Sequence, residues 1–181
     1  MLTTTDDLDT LRRRVAGLTA RLAALEDRVA IGDLIDRFGR DLDEYTAAGR
    51  PFDVGWVRRY FTEDADVAYP PGSAVGAGAI AALIDGHGMS PFRRTHHVTA
   101  NHVVDLEGDR AGARINLIAT HVLDDPPEAL FTVGDHYEAA LARTDEGWRF
   151  THQSLHVTWM AGSPPGGAPA GGGVGSGGWP H

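Results

Sequence analysis

Between Thr95 and Met160 the chain reads as four long strands joined by three short polar turns. The strand-like runs are Thr95 to Leu106, Arg110 to Leu123, Leu130 to Arg143 and Trp148 to Met160. They turn at Glu107-Gly108-Asp109, Asp124-Asp125-Pro126-Pro127 and Thr144-Asp145-Glu146-Gly147. Short turns force consecutive strands to lie antiparallel, because a parallel return needs a crossover of a dozen or more residues. Helical patterns come before these strands. The order predicts an α+β fold, with a curved antiparallel sheet wrapped on helices and a one-sided pocket between them.

Periodicity of two sorts the faces. In Arg110 to Leu123 the apolar face is Ala113, Ile115, Leu117, Ala119 and Leu123, and it also holds His121. An imidazole there is either a satisfied core histidine or a pocket group, and periodicity leaves both open. In the first long strand His97, Thr99, Asn101 and Val103 share one face, while His96, Val98, Ala100 and His102 share the other. A face carrying His, Thr and Asn suits a polar pocket wall. In the last strand Trp148 and Phe150 have one parity, and Leu155, Val157 and Trp159 the other. That phase change predicts a β-bulge near His152 to Ser154.

The N-terminal third is helical. Leu8, Leu11, Val15, Leu18, Leu22, Leu25 and Val29 alternate spacings of three and four, an a/d seam over three heptads. Either the seam pairs with its copy or it folds back on its own domain. Helical spacing continues through Ile31, Leu34, Ile35, Phe38 and Leu42 and stops near Ala48-Gly49-Arg50-Pro51. A short helix over Val54 to Phe61, a strand over Asp64 to Tyr69 and a short helix over Gly78 to Asp85 follow. The boundaries predicted are a heptad arm at 1–30, the folded domain at 31–160 and a disordered Gly/Pro-rich tail at 161–181, with Trp179 alone near its end.

Composition limits the chemistry. The chain has no cysteine, and its sixteen basic residues are all arginine. Thiol nucleophiles, disulfides, Schiff-base lysines and a Walker A lysine are therefore excluded. Acid–base work falls to His, Asp, Glu and Tyr. The arm and tail are neutral, so the net charge of −9 belongs to residues 31–160. An acidic domain repels phosphate backbones and anionic membrane surfaces, so neither nucleic acid nor membrane is an expected partner. The N-terminus has no signal-peptide apolar core, and a cytoplasmic location is expected. The histidines show no metal-ligand spacing, and no metal or other cofactor is expected.

Four stretches in order resemble the NTF2-like superfamily, in particular its SnoaL-like and scytalone-dehydratase-like members. They are Ile35-Asp36-Arg37-Phe38 … Leu42-Asp43, the passage Tyr60 to Tyr69, Thr95-His96-His97-Val98 … Asn101, and Asp145-Glu146-Gly147-Trp148-Arg149-Phe150 … Trp159. The resemblance implies a cone-shaped sheet closed by helices over a deep pocket. In the dehydratase-like branch a helix aspartate, a strand tyrosine and two strand histidines line that pocket. The matching positions are Asp43, Tyr69, His97 and His121, with Asp41 as the alternative carboxylate. Phe38 stands where the family often has tyrosine, and Tyr45 is a substitute hydroxyl. The implied chemistry is cofactor-independent dehydration, cyclisation or isomerisation of a small hydrophobic substrate, aromatic or polyketide-like. Asp43 then orients one of the two histidines as general base, His97 ahead of His121, and His121 and Tyr69 polarise a carbonyl or hold departing water. Asn101, Phe38, Trp56, Phe92 and Phe131 are candidate substrate contacts. The alternative is a non-catalytic ligand-binding or partner-subunit protein. Association into a homodimer or higher homo-oligomer is expected from the seam.

Overall fold

A computed structural model describes residues 4–124, 127–162 and 164–165. Helix α1 (Thr4–Ala47) runs unbroken for 44 residues, so the arm and the first domain helix are one rod. At about 1.5 Å per residue it is ~66 Å long. It stops where the spacing stops. Gly49 takes φ of +60°, a left-handed conformation that costs glycine little, and Pro51 follows. Helix α2 (Val54–Val57) is capped by Asp53, whose carboxylate accepts from the Trp56 N–H at 2.8 Å. It is shorter than its pattern because Phe61 already pairs with Phe150 in the sheet.

Strand β1 (Phe61–Tyr69) turns at Pro70-Pro71 into β2 (Gly72–Val75). The sequence does not announce β2. Four residues with a Gly and a Ser carry too little alternation, and pairing with β1 from Asp66↔Val75 to Tyr69↔Gly72 makes the strand. Helix α3 (Ala77–Leu83) passes into a π-helical turn at Ile84–Met89. Then come β3 (Phe92–Glu107), β4 (Arg110–Leu123), β5 (Leu130–Thr144) and β6 (Gly147–Gly162). The sheet order is β2-β1-β6-β5-β4-β3; the four long strands are antiparallel, and β1 lies parallel to β6.

The faces of β4 alternate as expected, with Ile115, Leu117, Ala119, His121 and Leu123 buried. The phase change in β6 comes from an extra residue at Thr151, between the Leu141↔Phe150 and Ala140↔His152 pairs. A second extra residue, Thr158, was not anticipated. It turns Trp159 outward, where its ring lies over Gly134, while Met160 returns to the inner face. Strand β3 also bulges. Asn101 and His102 face Ile115 alone, and Asn101 adopts φ of +53°. Beyond this point inward positions shift from Thr95, His97 and Thr99 to His102, Val104 and Leu106.

The concave face receives one side of α1. Ile31, Leu34, Ile35, Phe38 and Leu42 are buried against Ile115, Leu141 and Phe150 of the sheet. Burying such a side chain contributes roughly 1.5–3 kcal/mol. Phe38 is the hub, with its ring edge-on to Tyr60, Phe61, Tyr137 and Phe150. The seam residues of the arm are exposed, so the arm does not fold back onto its domain. Ala161 and Gly162 end β6 and so do not belong to a tail; Ser163, residues 166–181 and Trp179 among them lie outside the described residues. No helix among the described residues is long and apolar enough to cross a membrane.

Candidate active site

The last turns of α1 hold β3 through two aspartates one heptad apart. Asp36 accepts from the Thr99 hydroxyl at 2.8 Å. Asp43 accepts from the Thr95 hydroxyl at 2.8 Å and from the His97 backbone N–H at 2.9 Å. The His97 ring turns back to the same carboxylate, with Nδ1 2.7 Å from Asp43 Oδ1. Burial pushes the Asp43 pKa up, but the His97 ring, the His97 backbone N–H and Thr95 together hold it below the usual carboxylate range. The carboxylate is therefore ionised, and His97 donates Nδ1–H to it. The other ring nitrogen, Nε2, is left as the basic atom.

His97 is one wall of a cavity of about 430 Å³ enclosed by α1, the π-turn and the inner faces of β4, β5 and β6. His121 lies beside it, ring centroids 5.7 Å apart and nearly perpendicular. Its Nδ1 is 3.1 Å from the Phe131 carbonyl oxygen. A carbonyl only accepts, so Nδ1 carries the proton and Nε2 the lone pair. Burial first, and His97 second, lower the His121 pKa to about 4, so it is neutral at physiological pH. Phe92 and Phe131 flank its ring. Tyr69 donates its hydroxyl proton to Gln153 Oε1, and burial raises its pKa, so it remains a phenol. The sequence reading gives His121 and Tyr69 the role of donors to a carbonyl or departing water. In this structure both protons are committed within the protein, and each group presents a lone pair.

Of the other expected contacts, Phe38, Phe92 and Phe131 line the cavity. Asn101 does not. It is exposed at the β3 bulge, where the extra residue carries it out of the His97 face. Trp56 is core packing against Phe52 and Phe38. Tyr45 lies outside the cavity, between Phe52 and the Arg50 guanidinium. Asp41 accepts from the Tyr60 hydroxyl at 2.5 Å and pairs with Arg59 at 3.2 Å, which leaves Asp43 as the carboxylate on His97.

The sequence reading missed Asp135. It faces inward on β5 between Val133 and Tyr137, and its Oδ1 is buried without a hydrogen-bond partner. Burial raises its pKa to about 7. Its signal was the parity it shares with Phe131, Val133, Tyr137 and Ala139. The cavity is otherwise apolar, with Leu42, Ile84, Met89, Leu117 and Leu155 in its walls. Pro70, Pro71, Pro91, Pro164 and Pro165 also contribute to the lining.

Other histidine–carboxylate groupings lie away from the cavity. His152 Nδ1 is 2.6 Å from Asp66 Oδ2, with both side chains well exposed. His136, Glu138 and His156 bring their ligand atoms within 4.8 Å of one another on the outer face.

A six-stranded curved sheet closed by a long helix over a deep one-sided cavity is the NTF2-like cone arrangement. The chain belongs to the SnoaL-like domain family, whose family model matches residues 23–154. Among solved structures, an NTF2-like protein with a cystatin-like fold from Novosphingobium aromaticivorans is 26% identical, with TM-score 0.60 over 87% of this chain and 92% of that one. A scytalone-dehydratase candidate from the same organism is 22% identical, with TM-score 0.64 over 83% and 97%. The LinA-type3 hexachlorocyclohexane dehydrochlorinase of Novosphingobium barchaimii is 16% identical, with TM-score 0.67 over 78% and 93%. At these last two identities the likeness is one of fold. A search of curated proteins finds no match.

Proposed function

We propose that the cavity carries out a cofactor-independent elimination, such as a dehydration, or the related cyclisation or isomerisation, on a small hydrophobic substrate. The observation that supports it is the Asp43–His97 pair at 2.7 Å, with the ring opening into an apolar cavity. Asp43 fixes the tautomer and stabilises the imidazolium. His97 Nε2 takes a proton from the carbon next to an activating group, the C–H electron pair becomes the new double bond, and the hydroxyl leaves. Asp135, close to half protonated near pH 7, supplies the proton that makes the leaving group water. The proton on His97 then returns to Asp135 through solvent. Neutral His121 accepts a hydrogen bond from a substrate hydroxyl at Nε2. Tyr69 does the same through its oxygen. The apolar walls suit an aromatic or polyketide-like skeleton.

The test is turnover of hydrophobic β-hydroxy ketones, followed by enone absorbance. His97→Ala and Asp43→Asn should each lower kcat by roughly 10²–10⁴, the usual size of a general-base contribution, while the ligand still binds. Near-normal turnover in both variants sinks the mechanism. Tight binding with no turnover and no solvent deuterium incorporation by the unmodified protein favours the ligand-binding alternative.

A further inference from the structure

We propose that the α1 arm, residues 8–29, forms a parallel two-stranded coiled coil with the same segment of a second copy of this chain. Each of the seven seam residues is between 49% and 63% exposed, on a helix with no break. At 100° per residue the seam points to the side of α1 opposite Ile31, Leu34, Ile35, Phe38 and Leu42, which face the domain. Farther along the rod the same heptad phase carries Asp36 and Asp43, which hold β3, but from Leu8 to Val29 the stripe is left uncovered by the described residues. The seam is thus open to a partner.

Charge selects the occupant and its direction. With Leu8 at a and Leu11 at d, the g positions are Asp7, Arg14, Arg21 and Arg28, and the e positions are Arg12, Thr19, Glu26 and Asp33. In a parallel, in-register pair each g residue meets the e residue five positions on in the other copy. This gives Asp7 with Arg12, Arg21 with Glu26 and Arg28 with Asp33, all opposite in sign, and Arg14 with neutral Thr19. No pair repels. An antiparallel pair that keeps the seam matched sets Leu8 against Leu25 and brings Arg14 against Arg21 twice. The d positions are all leucine, and two of the four a positions are valine, a combination that suits two parallel strands. A second copy of this chain meets every one of these requirements by symmetry.

The experiment uses the full chain in sedimentation velocity. The expected mass is about twice 19.3 kDa, falling to the monomer value in Leu18→Glu/Leu22→Glu with the near-ultraviolet signal of the domain unchanged. Arg21→Glu should raise the dissociation constant at least about tenfold, and adding Glu26→Arg should restore it. Because the chain has no cysteine, Leu11→Cys reports direction. In a parallel pair residue 11 faces its own copy and oxidises to a cross-linked dimer. A monomeric wild type, a dimer that survives Leu18→Glu/Leu22→Glu, or no cross-link at Cys-substituted position 11 would each overturn the proposal.

Discussion

Asp135 sits in the cavity wall with one carboxylate oxygen buried and unpartnered. Its pKa is about 7 in the folded protein against 3.8 for an ordinary carboxyl. Between those values the unfolded chain has lost a proton that the folded chain keeps, so stability falls as pH rises, by about 1.4 kcal/mol per unit. His121 works in the other direction. Its folded pKa is about 4 against 6.5, so over that range the unfolded chain holds the extra proton and stability falls on acidification. The two slopes oppose each other between pH 4 and 6.5. Asp135→Asn should therefore be more stable than the wild type above pH 7, with the margin vanishing near pH 4, in urea titrations across pH. It should also abolish a fall in kcat/KM as the wild type passes through pH 7. A wild-type profile flat through neutrality would remove Asp135 from the chemistry. Two-residue periodicity put His97 and His121 on definite strand faces but left their roles open, and it was the family resemblance that singled them out. Nothing singled out Asp135. A lone acid in a mixed run reads as an outward charge until the parity of β5 is fixed by its partners.

At the scale of elements, the four long strands and their turns were legible to within about three residues, and of the bulges only the one at Thr151 left a sign in the sequence, as the phase change placed near His152 to Ser154. A bulge is a register decision taken between two strands, and one strand's sequence carries only its shadow. Asn101 shows the consequence. Counting by twos placed it with His97 and Thr99, but the extra residue sends it to solvent. Its φ of +53° is one that Asn and Gly tolerate and β-branched residues resist. Asn101→Gly should keep full activity and stability. Asn101→Val should cost about 1–2 kcal/mol in chemical denaturation. A large activity loss in a well-folded Asn101→Gly would return this residue to the site. The π-turn at Ile84–Met89 was equally hidden, since the expected helix ended at Asp85 and a π-turn has no marked pattern of its own in a run of Gly, His and Met. It brings Ile84 and Met89 into the cavity wall.

Over the whole molecule, α1 joins two packing problems on one rod. The domain grips it from Asp27 onward, where that carboxylate accepts from Arg143 at 2.6 and 2.7 Å and from the Trp148 indole at 3.1 Å. Before that clamp the arm is apolar on one stripe and untouched by the sheet. A dimer built on the stripe should unfold in two stages. The helical signal of the arm, which has no aromatic residue, should melt at a temperature that rises with protein concentration. The aromatic near-ultraviolet signal of the domain should melt independently of concentration. One joint transition at every concentration would contradict this division. The long helix was legible, because helical spacing runs on from the seam through Ile31, Leu34, Ile35, Phe38 and Leu42; that the seam stays clear of the domain was not, because its spacing alone left folding back open. The five prolines in the cavity lining bear on the same scale. Proline has its φ torsion fixed and offers no N–H to an arriving molecule. Walls stiffened in this way should sort guests by girth before any recognition inside. Measured arrival rates for a series of progressively wider aromatics should then drop in a step, where a swinging flap would give a gradual decline.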